Sequence, residues 1–316
     1  MIKISAVICT HDRQDYLARA IDSLLAQDFS EHSNSDHPGY EVILVNNASS
    51  DRTADIAQTY LDHPQFRYIY EPVLGLSTAR NTGAAAAQGE IIAYLDDDAV
   101  ASPGWLGVLY KAFAGDKNLA IAGGKVTLLL PNHQPLPWWI SPDLSSNLGA
   151  YDLGDLELDI HKPGLTPRGL NYAMRRDFWQ SMGGFAVNLG RKGKNLLSNE
   201  EVYATELALQ QGWRVGYLPQ ALVAHQVVPE RLHPRWFLHR AWWQGISEYQ
   251  RQKIAKASDR PELRAMAERF LRGCYKSIKY LPEPALSFEN LVYAYGQIGY
   301  FTAVITRMTT RFPPNQ

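Results

Sequence analysis

Three consecutive acids, Asp96-Asp97-Asp98, close an apolar run of strand length that opens at Gly89. Carboxylates placed side by side repel one another, so burying them requires a cation or hydrogen-bond donors. A hard divalent ion that also carries phosphate oxygens would supply that charge, because Mg²⁺ and Mn²⁺ take one or two carboxylates together with substrate phosphate. The plainer alternative is a solvated acidic turn capping a helix that starts near Ser102-Pro103. Polar clusters also close two other apolar runs, Thr10-His11-Asp12-Arg13 after the first and Asn46-Asn47-Ala48-Ser49-Ser50-Asp51 after the second. Farther along, Glu200-Glu201 opens a helical pattern and His225 ends a short strand pattern. Acids in a first helical turn and a histidine behind a strand both have common structural explanations.

These residues need elements to carry them. Residues 4–10, 41–45, 66–70 and 91–96 read as strands, and residues 16–25, 53–61 and 76–87 as intervening helices. Leu17, Ile21, Leu24 and Leu25 share one face of the first helix. The alternation predicts right-handed βαβ units and a mostly parallel sheet flanked by helices. Parallel strands present their carboxyl ends along one edge, so the clusters at Thr10, Asn46, Glu71 and Asp96 are expected to gather there. Beyond the acids come a helix at 104–113, a strand at 119–130, a strand at 169–175 and a helix at 177–182. A helix at 200–211 stops at Gly212, and two short strands, 215–218 and 221–225, flank Pro219. The stretch 131–164 has no period, but its Trp138-Trp139 pair argues against disorder. Residues 28–39 and 191–194 read as loops, and from about Pro234 the chain turns helical and rich in Arg, Trp and Tyr.

Composition narrows the class. The chain has 316 residues, 46% hydrophobic, enough for one large domain with an appendage. With 31 basic against 32 acidic side chains it lacks the surplus that a nucleic-acid binder carries. Cys9 and Cys274 have neither disulfide nor zinc-site spacing, no leader is visible ahead of the first strand, and no apolar run reaches membrane-spanning length. A cytoplasmic protein is expected.

The motifs, taken in order, resemble the family 2 glycosyltransferases of the GT-A fold. They are VICTHDR (7–13), VNNASSD (45–51), EPVLGLSTARNTG (71–83), AYLDDDAV (93–100), GLNYAMRRDFWQSMGGF (169–185) and NEEVYATELALQQGWRVGYLP (199–219), with His225 just after. The resemblance covers about residues 1–226 and implies a GT-A-type α/β domain over 1–230, with a nucleotide-binding half (1–100) and an acceptor-binding half (101–230). A helical C-terminal appendage would occupy 231–316. It implies transfer of a sugar from a nucleoside diphosphate donor to an acceptor hydroxyl. Asp96 and Asp98 match the ends of the family's DXD motif: Asp98 would hold Mn²⁺ or Mg²⁺, and Asp96 the ribose or, indirectly, the metal. His225 matches a histidine that approaches the metal. Thr10, Arg13, Asn47, Arg80 and Asp97 join Asp96 as nucleotide-sugar contacts. Glu201 stands where the family has its catalytic acid, and Glu200 where it has the preceding glutamate.

The residue types suit that chemistry. A Lewis-acidic ion at Asp98 would neutralise charge on a departing diphosphate, and Glu201 at a helix start would serve as base for an acceptor hydroxyl. One base without a protein nucleophile suggests a single inverting displacement. Two departures from the family are visible: Asn46 replaces a frequent Asp, and Glu201 is one methylene longer than the usual Asp, which makes Glu200 the rival base. Asn47 can pair with a pyrimidine, which favours a uridine donor. The paired tryptophans Trp138-Trp139 and Trp242-Trp243 offer sugar-stacking faces or core packing. Basic and aromatic helices over 236–251 and 264–279 would suit peripheral contact with an anionic membrane, at the inner face of the plasma membrane, and a saccharide or lipid-linked saccharide acceptor. Two other readings stay open, a nucleotidyltransferase and a non-catalytic nucleotide-sugar binder.

Overall fold

The first apolar run forms β1 (Ile2–Thr10), a strand buried on both faces, with Ile4, Ala6, Val7 and Ile8 fully enclosed. This is what a strand covered on each side by helices requires. The computed structural model describes residues 2–30, 38–193, 195–255 and 263–309, with backbone only for 307–309. Residues 31–37 of the expected loop, Lys194 of the basic loop, and residues 256–262 and 310–316 of the expected appendage lie outside the described residues.

Beside β1 run β2 (Gly39–Asn47), β3 (Phe66–Glu71) and β4 (Ile91–Asp96), all parallel, in the order β3-β2-β1-β4. The sheet continues with β5 (Ala99–Ala101), β6 (Leu119–Leu129), the two-residue β7 (Leu158–Asp159), β8 (Asn171–Arg175) and β9 (Arg214–Gln226). β8 is antiparallel to β4 and β6, while β6 and β9 are parallel. Helices α1 (Gln14–Leu25), α2 (Thr53–Gln58), α3 (Leu76–Ala86), α4 (Trp105–Gly115), the single turn α5 (Pro142–Ser145), α6 (Arg176–Ser181) and α7 (Glu200–Gln210) follow in chain order. α1 buries Leu17, Ala20, Ile21 and Leu24, the face its spacing selects.

Two local expectations change. The helix expected over 53–61 ends at Gln58 and continues as turns, because Leu61 is solvent-exposed and Pro64 follows shortly. The two short strands around Pro219 are one strand, β9, carrying a bulge: the register with β6 passes from Gly124–Leu218 to Val126–Val223. Proline has no N–H for the ladder, so it sits in the bulge. Asn171, fully buried, ties the bulge down by donating Nδ2 to the Ala221 carbonyl (2.7 Å) and the Lys125 carbonyl (3.2 Å), while its Oδ1 accepts from the Trp105 indole (2.8 Å). Gly123 and Gly124 make room: a Cβ at Gly123 would lie 2.2 Å from the Asn171 carbonyl oxygen.

The chain divides into two compact units. One comprises Met1–Leu129, Gly149–Gly193 and Glu200–Gln226, and holds the sheet. The other comprises Leu130–Leu148, Lys194–Asn199 and Val227–Gln316. Its framework is α8 (Pro234–Ile254), α9 (Leu263–Lys279) and α10 (Pro284–Thr309). α8 and α10 touch backbone to backbone: a Cβ at Gly245 would lie 1.9 Å from the Gly296 oxygen. Trp139 packs edge-on against Phe237 and Phe288, so it is core material in this unit, whereas Trp138 is 75% exposed. Trp242 and Trp243 stand edge to face on α8. Among the described residues no helix is long and apolar enough to cross a membrane.

The glycine contact yields a paired test. Gly123→Ala should destabilise the protein by about 1–3 kcal/mol through overpacking against backbone. Gly115→Ala, at a helix end with nothing within 4 Å of the added carbon, should leave the unfolding midpoint unchanged or raise it. Thermal unfolding of both variants is the measurement.

Candidate active site

The sheet register brings the strand-end clusters together. Thr10 is level with Asn46, Asn47 with Glu71, and Cys9 with Asp96, so the four polar clusters of the parallel half share one edge. Side chains then knit the edge. Asp12, in the left-handed region at φ 52°, accepts from the Ser50 N–H (2.7 Å), and Asp51 accepts from the Gln14 N–H (3.0 Å). A small cleft of about 490 Å³ lies along this loop, with Asp12, Arg13, Tyr16 and Asp51 in its walls. Asn46 donates to the Tyr68 hydroxyl at 2.9 Å. Asn47 is buried and donates to the Glu71 and Val73 carbonyls (3.1 and 2.9 Å), while its Oδ1 accepts from the Gly75 N–H (2.8 Å). Its amide therefore holds the turn into α3, at a glycine with φ 156°.

The acidic triplet is not a solvated turn. Asp97 and Asp98 are 8% and 5% exposed, and β5 intervenes before α4 begins at Trp105. β5 pairs antiparallel with β9 so that Ala99 faces His225, and the Gln226 N–H donates to the Asp98 carbonyl at 2.8 Å. That ladder sets His225 Nε2 3.2 Å from Asp98 Oδ1, and Arg13 Nη2 lies 3.5 Å from Asp98 Oδ2. Gly149, at φ 101°, packs its backbone onto the imidazole: a Cβ there would meet Nδ1 at 2.9 Å. Burial, reinforced by the adjacent Asp98, pushes the Asp97 carboxyl up to about 7. Among the described residues no group of three or more His, Cys, Asp or Glu side chains forms a ready metal cage. Asp98 and His225 supply two donors beside an under-neutralised acid. That donor set fits a divalent ion whose remaining ligands are substrate oxygens.

The second acidic group is organised by Arg80. This α3 residue is 3% exposed, and its guanidinium donates to Glu200 Oε1 (2.9 Å), Glu201 Oε1 (3.1 Å), Asp96 Oδ1 (3.4 Å) and the Gly169 carbonyl (3.1 Å). The rings of Tyr94 and Phe185 lie 5.7 and 5.8 Å from it. One cation thus joins the end of β4 to the start of α7. Burial pushes Glu200 up to about 8, with Glu201 adding to the shift, and its Oε2 is buried without a hydrogen-bond partner. Burial acts in the same sense on Glu201, but Arg80, a backbone hydrogen bond and Arg191 together outweigh it and hold Glu201 below the ordinary glutamate value. The Glu201 side chain keeps 16% exposure against 2% for Glu200.

Gly169 and Asn171 also shape this setting, though neither residue type marks itself in the sequence as part of a site. A Cβ at Gly169 would fall 1.8 Å from Glu201 Oε1, so glycine there lets the carboxylate reach Arg80. An arginine on a short, alanine-rich buried helix was the available signal that some acid had to meet it. Arg80→Met should cost about 3–5 kcal/mol by stranding buried acids. Without the guanidinium both glutamates titrate above their unfolded value, so stability is retained at low pH and lost as pH rises. The gap to the parent protein in thermal unfolding should therefore be wider at pH 8 than at pH 5.

Comparisons with known proteins agree with this architecture. The model of glycosyl transferase family 2 matches residues 5–169, just over half of the chain. A glucosyl-dolichyl phosphate glucuronosyltransferase from Haloferax volcanii is 28% identical over 264 residues, 78% of this chain and 76% of that protein. The mannosyltransferase PcManGT from Pyrobaculum calidifontis, solved in complex with GDP-Man and Mn²⁺, aligns with a TM-score of 0.56 at 16% identity over 99% of this chain and 76% of its own. S. aureus TarS, solved with UDP, aligns with a TM-score of 0.51 at 16% identity over 99% of this chain and 93% of the solved one. At that identity the two structures speak for the fold, an α/β GT-A architecture with a helical C-terminal region. Motif order, sheet topology and the family match converge: the chain is a member of glycosyl transferase family 2.

Proposed function

We propose that this glycosyltransferase uses a nucleoside diphosphate-sugar, uridine-linked, with Mn²⁺ or Mg²⁺, and glycosylates a hydroxyl of a saccharide or lipid-linked saccharide during polysaccharide or glycolipid synthesis. It would act in the cytoplasm at the inner face of the plasma membrane. Glycosyl transfer, the family's reaction, replaces the nucleotidyl-transfer and non-catalytic alternatives. The observation that carries the finer reading is the acid set at the end of β4: Asp98 lies beside His225, and Asp96, two residues earlier, is joined through Arg80 to Glu201. A relative named for a dolichyl phosphate-linked sugar supports a lipid-linked acceptor, and neighbours solved with UDP or with GDP-Man and Mn²⁺ support a nucleotide-sugar donor.

In this reading residues 1–100 bind the nucleotide, 101–230 the acceptor, and 231–316 form the appendage. Thr10, Arg13, Asp96 and Asp97 line the donor, while Asn47 and Arg80 shape it from beneath through the connection and the acids they hold. Asp98 and His225 would hold the ion, which when bound neutralises charge on the leaving diphosphate. Glu201, ionised at neutral pH and still accessible, takes the acceptor's proton. The acceptor oxygen attacks the anomeric carbon as the bond to the diphosphate breaks, with inversion. Glu200, kept neutral by burial, supports Arg80 without competing for that proton.

Two experiments test these assignments. Glu201→Gln should retain donor binding while kcat falls by ~10²-fold or more, and Glu200→Gln, which copies the neutral carboxyl, should stay within about tenfold of the parent. The reverse pattern would make Glu200 the base. Asp98→Ala should remove the Mn²⁺-dependent part of the thermal shift given by UDP-sugars, and a larger shift with GDP-sugars in the parent protein would overturn the uridine assignment.

A further inference from the structure

Helix α9 carries a surface that neither the sheet nor the acid cluster explains. Leu271, Tyr275 and Ile278 follow at i, i+4 and i+7, the spacing of one helix face, and all three are 65–69% exposed. Leu281, just beyond the helix end, is 66% exposed. Arg272, Lys276 and Lys279 form a second row one residue farther round, so an apolar row and a cationic row run side by side. The opposite side of α9 is closed by α10. Met266 and Gly273 are buried there, and a Cβ at Gly273 would meet the Ala294 side chain at 2.9 Å. The helix cannot roll to hide its apolar row without losing that contact.

We propose that this face of α9 docks in the plane of an anionic lipid surface. Side chains of this size exposed together in a row mark an interaction surface rather than ordinary solvent exposure. Leucine, isoleucine and tyrosine beside lysine and arginine suit the boundary between acyl chains and acidic headgroups. The charge is local: α9 holds five cations and one acid in a chain whose formal charge is −1. A second copy of the chain is the poorer occupant, because a two-fold interface would set the cationic row against itself. The helix is also too short and too polar to cross a bilayer. α10 adds exposed apolar residues at Leu291, Tyr295 and Ile298, again at i, i+4 and i+7. The inference deepens the lipid-linked acceptor proposed above and rests on it only for its purpose, since docking would keep the enzyme where such an acceptor is confined.

Flotation of the full-length protein with vesicles tests it without turnover. The chain should float with vesicles of equal parts phosphatidylglycerol and phosphatidylcholine, much less with phosphatidylcholine alone, and the difference should shrink as salt rises. Arg272→Gln, Lys276→Gln and Lys279→Gln together should weaken partitioning roughly 100-fold, and Leu271→Glu with Ile278→Glu should abolish it. Neither variant should alter the unfolding midpoint or the slow acceptor-independent hydrolysis of a nucleotide-sugar. Absence of flotation, or equal flotation with neutral vesicles, would overturn the proposal. So would a parent dimer by light scattering that Leu271→Glu with Ile278→Glu turns into monomer. Docking without transfer to a lipid-linked saccharide would sink the acceptor assignment alone and leave this surface standing.

Discussion

One buried guanidinium holds the acid cluster of this protein together. Arg80 lies within hydrogen-bonding distance of Asp96, Glu200 and Glu201, residues that reach it from the end of a central strand and the start of a helix more than a hundred positions later. Three acids around one cation do not balance, and the structure resolves the excess by environment. Glu200, with almost no exposure, is pushed toward its neutral form, while Glu201 remains the charged partner. Two adjacent carboxyls with the same covalent chemistry are thereby given different protonation states, the usual condition for dividing acid and base roles. The arginine belongs to the architecture of the site, since every hydrogen bond its guanidinium donates goes to the protein itself.

The edge that carries Asp98 and His225 is arranged by backbone rather than by charge. A three-residue strand after the acidic triplet pairs with the end of β9, and that ladder, with Gly149 packed on the imidazole, sets His225 beside Asp98. The bulge around Pro219 lies upstream on the same strand, and Asn171 satisfies its carbonyls while holding the Trp105 indole. Side-chain placement at this edge therefore depends on buried polar contacts well inside the sheet, where an unpaired carbonyl would be expensive. The helical unit obeys a different logic. Its glycines bring α8 and α10 into backbone contact, and its aromatic residues close around Trp139, while α9 keeps a face turned outward.

Much of the parallel half could be read without coordinates. Continuous apolar runs with helical stretches between them leave few alternatives to βαβ units, and handedness then sends every strand-end cluster to one edge. Local spacing also located the glycine stop after α7 and the helical C-terminal region. Local pattern is insufficient where pairing partners decide the outcome. Residues 215–218 and 221–225 look like two strands because proline interrupts a periodic pattern, yet β6 holds them in a single ladder across the bulge.

The sequence by itself determined the layer architecture, the family, and which acids and histidine stand at element ends, because those follow from short-range periodicity and from motif order along the chain. Only the tertiary structure decided which of those groups meet. Asn47 could be read as a base contact, but its amide is taken by the backbone at 71–75. Arg80 could be read as a diphosphate contact, but it is enclosed by carboxylates. The physical reason is common to both. A polar side chain's partner is set by burial and by neighbours distant in sequence, and no local pattern encodes either one.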